Sequence, residues 1–206
     1  MHDPDSINLR KVTDAADSFL KSYNNDSQHP LPLEEIIEQK LHIRLVLIPG
    51  LDRLIGISAF INQSFDCIVI DEKMYCSQPN RVLFTLAEEI GHYFLHREWY
   101  DKNGPKGIED YLNWHVGINQ AKYKFIEHQA RTFASMILMP EILLRNSWNK
   151  FKSKYSLTEP CTFEELASAN LTELAQEYGV STESMMIRLG HLKLIQIPQW
   201  YWDSKT

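Results

Sequence analysis

The residues most able to do chemistry lie in the stretch RVLFTLAEEIGHYFLH, residues 81–96. On a helix, positions four apart share a face with Cβ atoms roughly 5–6 Å apart. Glu88, His92 and His96 form such a row. A liganding pair at this spacing, with a carboxylate beside its first member, is the geometry of the metal-binding helix motif H-E-x-x-H. The five residues here are Glu88-Glu89-Ile90-Gly91-His92, so the second histidine and the glutamate are present and the first histidine is not. Spacing alone also suits a solvated acidic turn carrying one histidine. Two features favour a site. Gly91 costs a helix roughly 1 kcal/mol against alanine, so it marks close packing or access beside the row. Glu127 opens the next long apolar stripe, EHQARTFASMILMP, from which a facing helix would deliver a further carboxylate. A first-turn glutamate favoured by the helix dipole is the competing reading of Glu127.

The elements that must position these groups follow from the apolar spacing. Residues 6–23 carry Leu9, Val12, Ala16, Phe19, Leu20 and Tyr23 at helical intervals. Pro30 and Pro32 break that run, and LPLEEIIEQKL reads as a short helix with Leu33, Ile36, Ile37 and Leu41 inward. Three β-type runs follow, 43–49, 56–61 and 67–72, separated by the turn-like PGLDR and NQSFD; a small antiparallel sheet or meander is expected. A helix is expected over 78–96 with Ser77 as its cap, then a long loop over 97–118, where Gly104, Pro105, Gly107 and Gly117 fall. Helix returns over 120–138 and stops at Leu138-Met139-Pro140. A short helix and a Lys-rich loop fill 141–160, and two or three short helices follow, with Ser181 as an N-cap after the turn Tyr178-Gly179-Val180-Ser181. The fold class expected is α+β, with one domain over 1–140 and a helical subdomain over 141–206.

Composition narrows the function classes. Lys+Arg 21 against Asp+Glu 27 gives a net charge of −6, which argues against broad binding to a phosphate backbone. Three cysteines, Cys67, Cys76 and Cys161, are odd in number and widely spaced, so neither a disulfide framework nor a zinc ribbon is legible. No apolar run has the length of a membrane span, and the acidic start MHDPDSINLR does not read as a secretory signal. A reduced, cytoplasmic setting is expected.

The run from Leu31 to Pro140 resembles the ImmA/IrrE family of metallo-endopeptidases, whose zincin-like pattern is R-x-x-x-T-L-A-H-E-L-G-H-x-x-L-H followed by E-x-x-A-x-x-F-A-x-x-L-M-P. The first block is matched by Arg81, Thr85, Leu86, Ala87, Glu89, Gly91, His92, Leu95 and His96. The second is matched by Glu127, Ala130, Phe133, Ala134, Leu138, Met139 and Pro140, and the C-terminal helices resemble the segment that follows in that family. The resemblance implies Glu89 as general base, His92 and Glu127 as metal ligands, and Glu88 where the family has its first ligand histidine. It further implies limited cleavage of a partner protein, typically a helix-turn-helix repressor. Glutamate is an accepted zinc ligand at roughly 2.0–2.2 Å. A Glu88/His92/Glu127 set nearly cancels a divalent charge and shifts preference toward harder ions, so manganese, another divalent ion, or none stands beside zinc. His92, His96 and Glu127 form a second arrangement; Glu88 and His96, about 12 Å apart along a helix, do not share one ion. The reading from a different class is a peptidase fold that has lost its standard zinc site and serves as a regulatory or protein-binding module.

Other candidates carry weaker chemistry. Cys76 has no legible base, so it reads as structural or surface. His115, placed in the loop, and His128 read as exposed, and Tyr93 as packing. The segment LTELAQEYGVSTESMMIRLGHL resembles a helix-turn-helix, with Arg188 and His191 on its second helix. Residues 141–206 carry seven Lys/Arg against eight Asp/Glu, poor material for phosphate contacts, so a packing module is expected rather than direct DNA binding. Trp200, Tyr201 and Trp202 are expected to pack back on the domain.

Overall fold

The computed structural model describes residue 4 and residues 7–203, and among these the sheet is small and helix dominates. Two compact units are resolved, Met1–Leu138 and Met139–Thr206.

In the first unit, α1 (Leu9–Tyr23) starts at Asn8, whose side chain accepts the Lys11 N–H at 3.1 Å. Its apolar stripe buries Val12, Ala16 and Phe19. α2 (Leu33–Glu35) runs on into a π turn at Ile36–Lys40 and buries Leu33, Ile36 and Ile37. The three expected strands are present as β1 (Arg44–Ile48), β2 (Ala59–Ile61) and β3 (Cys67–Asp71). Their order is β1-β3-β2, with β1 parallel and β2 antiparallel to β3. The expected antiparallel meander is therefore corrected to a mixed sheet. The physical reason is the segment read as a turn, which is the short helix α3 (Leu51–Ile55). It carries the chain past β1 and leaves room for β3, buried along its whole length, to enter between the other two strands. Asp71 at the end of β3 fixes two helix starts at once. Its Oδ1 accepts the Met74 N–H at 2.8 Å at the head of α4 (Glu72–Ser77), and Oδ2 accepts the Asp52 N–H at 3.2 Å in α3. These bonds, the one from Met74 foremost, hold the Asp71 carboxyl below its ordinary pKa.

α5 (Pro79–Leu95) and α8 (Gln120–Leu138) are the expected pair of long helices. The chain enters α5 through Gln78 with proline in the first turn; Ser77, expected as the cap, instead donates to the Lys73 carbonyl at 2.6 Å as the last residue of α4. Phe19 of α1 joins the two, 5.5 Å from Phe94 and 5.9 Å from Phe133, while the Phe94 and Phe133 rings stack. Between these helices, residues read as a long loop form α6 (Arg97–Asn103) and α7 (Ile108–Gly117). Gly104 and Pro105 separate the two helices, but Tyr100 and Tyr111 both pack on Trp114, and Tyr111 packs on Phe60 of β2. Tertiary packing, not propensity, makes such short helices.

In the second unit, α9 (Glu141–Tyr155) absorbs the expected Lys-rich loop. Leu144, Trp148 and Phe151 line its buried face, which leaves Lys150, Lys152 and Lys154 for the others; Lys154 pairs with Glu173 at 2.6 Å. α10 (Phe163–Ser168) begins with a capping box between Thr162 and Glu165. α11 (Leu171–Glu177) and α12 (Thr182–His191) are joined through Gly179, whose φ of 66° favours glycine, and Ser181 caps α12 as expected by accepting the Ser184 N–H. In α13 (Gln199–Asp203), Trp200 and Tyr201 lie 5.6 and 6.1 Å from the Phe163 ring, although Trp200 keeps 60% of its surface exposed. The Trp202 side chain lies outside the described residues.

Candidate functional site

Gly91 determines how closely the two long helices approach. A Cβ built on it would lie 2.9 Å from the Ala130 Cα and 3.0 Å from the Ala130 carbonyl oxygen, so only glycine permits this crossing. The close approach expected from an isolated glycine in α5 is therefore real, and it brings His92 opposite Glu127. His92 Nε2 lies 3.2 Å from Glu127 Oε1, with the histidine almost wholly buried.

The protonation pattern of this pair follows from a chain of hydrogen bonds behind it. Gln129 on α8 directs its amide nitrogen to two carbonyls, Ile7 at 2.7 Å and Pro4 at 3.1 Å, so its oxygen must accept. That oxygen is 2.8 Å from His96 Nε2, which therefore carries the proton and donates. His96 Nδ1 is left as an acceptor, 3.1 Å from His92 Nδ1, which donates to it. The lone pair of a neutral His92 Nε2 then faces the Glu127 carboxylate. Two acceptors at this distance require a cation between them, either a proton or a metal ion. Without a metal the proton fills that role. Burial works against a charged His92, but the Glu127 hydrogen bond and the charges of Glu127, Glu89 and Glu88 outweigh it and raise its pKa. His96 is pushed down to about 3, by burial first and then by the neighbouring His92, and so stays neutral.

The two glutamates of the motif are treated differently. Glu89 is buried, and its Oε2 accepts the Ile61 N–H of β2 at 2.7 Å. Burial pushes its pKa up to about 7. Glu88 is turned to Arg131, whose Nε lies 3.0 Å from Glu88 Oε1. Arg131 also lies 4.0 Å from Glu127 Oε2, so one guanidinium sits beside both carboxylates. Burial pushes Glu88 to about 7, against the pull of Arg131. Glu127 stays below the ordinary range, because His92 and Arg131 outweigh its burial, and the Tyr123 hydroxyl also bonds to it.

Among the described residues, no three His, Cys, Asp or Glu side chains are gathered as a ready-made ligand set. Of the candidates, His92 and Glu127 are in direct contact, Glu89 stands beside them tied to β2, and Glu88 reaches the cluster only through Arg131. The donor types suit a divalent ion: an imidazole lone pair aimed at a carboxylate, and a second carboxylate now occupied by an organic cation. His96 directs its two ring nitrogens to His92 and Gln129, which disfavours the arrangement with His96 as a ligand.

Sequence reasoning missed Arg131, Gln129 and Tyr123. Arg131 and Tyr123 lie four residues either side of Glu127, on its own helical face, and that spacing was the available signal. Gln129 interrupts the apolar face of α8 beside Ala130 and Phe133, and a polar residue there needs a partner. The weaker candidates resolve simply. Cys76 is exposed and unbridged, and Tyr93 packs edge-on against Phe65. His128 is exposed, whereas His115 sits on α7, half-buried and stacked on Tyr111 rather than exposed in a loop. Arg188, considered for DNA contact, is buried and donates to the Met139 carbonyl at 3.2 Å.

An α+β scaffold with a glutamate–histidine helix facing a glutamate-bearing helix defines the class as peptidase-like. Residues 39–190 match the model of the peptidase M78 family, the IrrE N-terminal-like domain, and the chain belongs to that family. Among solved structures it is similar to a Mycobacterium tuberculosis transcriptional regulator, with a TM-score of 0.56 and 12% identity over 88% of this chain. At that identity the likeness shows the fold alone, and the chain spans about half of that protein's length, 47%. A search of the curated proteins found no match. Among the described residues no helix is long and apolar enough to cross a membrane.

Proposed function

We propose that the chain is a metal-dependent endopeptidase of the ImmA/IrrE type that makes limited cuts in a partner protein, a helix-turn-helix repressor. The observation that carries this reading is the His92–Glu127 contact, with the imidazole oriented by His96 and Gln129 so that a cation must lie between them. Glu88, His92 and Glu127 would hold the ion, zinc or a harder ion such as manganese. When bound, it supplies a Lewis acid for the scissile carbonyl.

The chain's own residues do the rest. Ile61 N–H fixes Glu89 through Oε2, which leaves Oε1 to take a proton from water and return it to the leaving amine. His96 and Gln129 hold the His92 ring in one tautomer, and the Tyr123 hydroxyl steadies Glu127. The wholly buried Tyr100, its ring 5.2 Å from His92, keeps that side of the site dry.

Family membership supports the peptidase reading. The described role of the similar Mycobacterium tuberculosis protein is compatible with a target in transcriptional control. Incubating the metal-loaded chain with helix-turn-helix repressors is the test. Discrete cleavage, abolished in Glu89→Gln, supports the proposal; intact repressors bound tightly by a metal-free chain refute it.

A further inference from the structure

We infer that Arg131 is a positioning residue for the metal centre: its guanidinium is a resident cation that holds Glu88, and a divalent ion must displace it. The inference rests on the metal-centre reading above and adds what controls entry to it.

Three observations carry it. First, the arginine contacts the carboxylate that the site needs, at 3.0 Å through Nε, and reaches toward Glu127 at 4.0 Å. Second, the partners differ in freedom. The Arg131 side chain is 65% exposed, whereas Glu88 and Glu127 are only 21% and 22% exposed. The long arginine stem can therefore leave into water, while the carboxylates stay in place. Third, the Glu88 oxygen that would turn to an ion, Oε1, already faces the Arg131 Nε. A guanidinium and a divalent ion cannot share the same carboxylate oxygens without like-charge repulsion.

Glu88 and Arg131 thus explain each other. A neutral histidine at 88 would offer Arg131 no ion pair, whereas a glutamate left without a cation would stand unpaired beside two other acids. Metal binding becomes an exchange of cations rather than the filling of a vacant site, which weakens apparent affinity.

The test is isothermal titration of the full chain with zinc chloride and manganese chloride at pH 7, in a buffer that does not chelate. Arg131→Gln is expected to bind the preferred ion about tenfold more tightly than the unaltered chain. Arg131→Lys, which keeps the charge but loses the planar fork, is expected to fall between them. Far-UV circular dichroism checks that each variant is folded, and Arg131→Lys serves alone should Arg131→Gln not fold. A merely structural arginine would, on removal, leave affinity unchanged or lower it. Binding only in Arg131→Gln would be the extreme form of support. One-to-one binding by the unaltered chain, with equal or weaker binding in the variants, overturns the role of Arg131 and leaves the metal centre standing. No one-to-one binding by any of the three chains overturns the metal centre and the inference together.

Discussion

Gly91→Ala probes the geometry on which the site depends. On an unencumbered helix this substitution stabilises by roughly 1 kcal/mol. In α5 the new Cβ meets the Ala130 Cα at 2.9 Å and the Ala130 carbonyl oxygen at 3.0 Å, and both are backbone atoms that cannot rotate aside. Favourable carbon–carbon separation begins at about 3.5 Å, so α5 and α8 would have to part by roughly 0.6 Å. Because the clash is with backbone, the upper part of the overpacking range applies, about 2–3 kcal/mol, which exceeds the propensity gain. A net loss of about 1–2 kcal/mol is expected in urea unfolding at pH 7 with chelator present. Because His92 and Glu127 face each other across this crossing, metal affinity should fall as well. Adding Ala130→Gly should not rescue the variant, since the nearest contacts are to atoms that glycine keeps. Gly117→Ala, with nothing within 4 Å of its Cβ, is the control and should be neutral or stabilising. A Gly91→Ala chain as stable as the original would refute the account of the crossing.

Gln129→Leu removes the acceptor that fixes His96 and should lower metal affinity by roughly 10- to 100-fold in calorimetry, without unfolding the chain; unchanged affinity would refute the relay. In the metal-free chain, Glu88 and Glu89 at about 7 hold protons that the unfolded chain has already released above about 4.5. Their contribution is therefore complete below the unfolded value and is lost as pH rises through 7. The raised pKa of His92 acts in the same direction, while His96, at about 3, acts the opposite way but only below its ordinary 6.5. The unfolding free energy from urea titration with chelator should accordingly fall by about 1–2 kcal/mol between pH 6.5 and 8, and Glu89→Gln should flatten the slope; a rise across that window would contradict the assignment. Arg188→Met should leave any residual duplex-DNA binding at low salt unchanged in fluorescence anisotropy, because the guanidinium is buried; a clear loss would reopen a DNA role for α12.

Much of the site was legible because it is local to two helices. The i, i+4 row of Glu88 and His92, the isolated Gly91 and the apolar stripe behind Glu127 all express helical periodicity, and periodicity survives in a sequence. The sheet was legible only as strands. Runs of three to five residues do not encode which neighbour they pair with, and α3, with glycines at both ends, looks like a turn. Residues 97–118 read as a loop because Gly104, Pro105, Gly107 and Gly117 speak locally for one, while Tyr100, Tyr111 and Trp114 gain their meaning from packing, Tyr100 and Tyr111 on Trp114 and, through Tyr111, on Phe60. The Glu88–Arg131 pair joins residues 43 apart, and nothing short of the fold reveals which charge meets which.

The central claim is that Glu88, His92 and Glu127 can close around one divalent ion. Metal content of the purified chain, measured by plasma mass spectrometry after dialysis against metal-free buffer, tests it most directly when set beside His92→Ala and Glu127→Ala. One ion per chain, lost in both variants, is the expected result. A chain that retains none after loading, or variants that hold as much as the original, would contradict it.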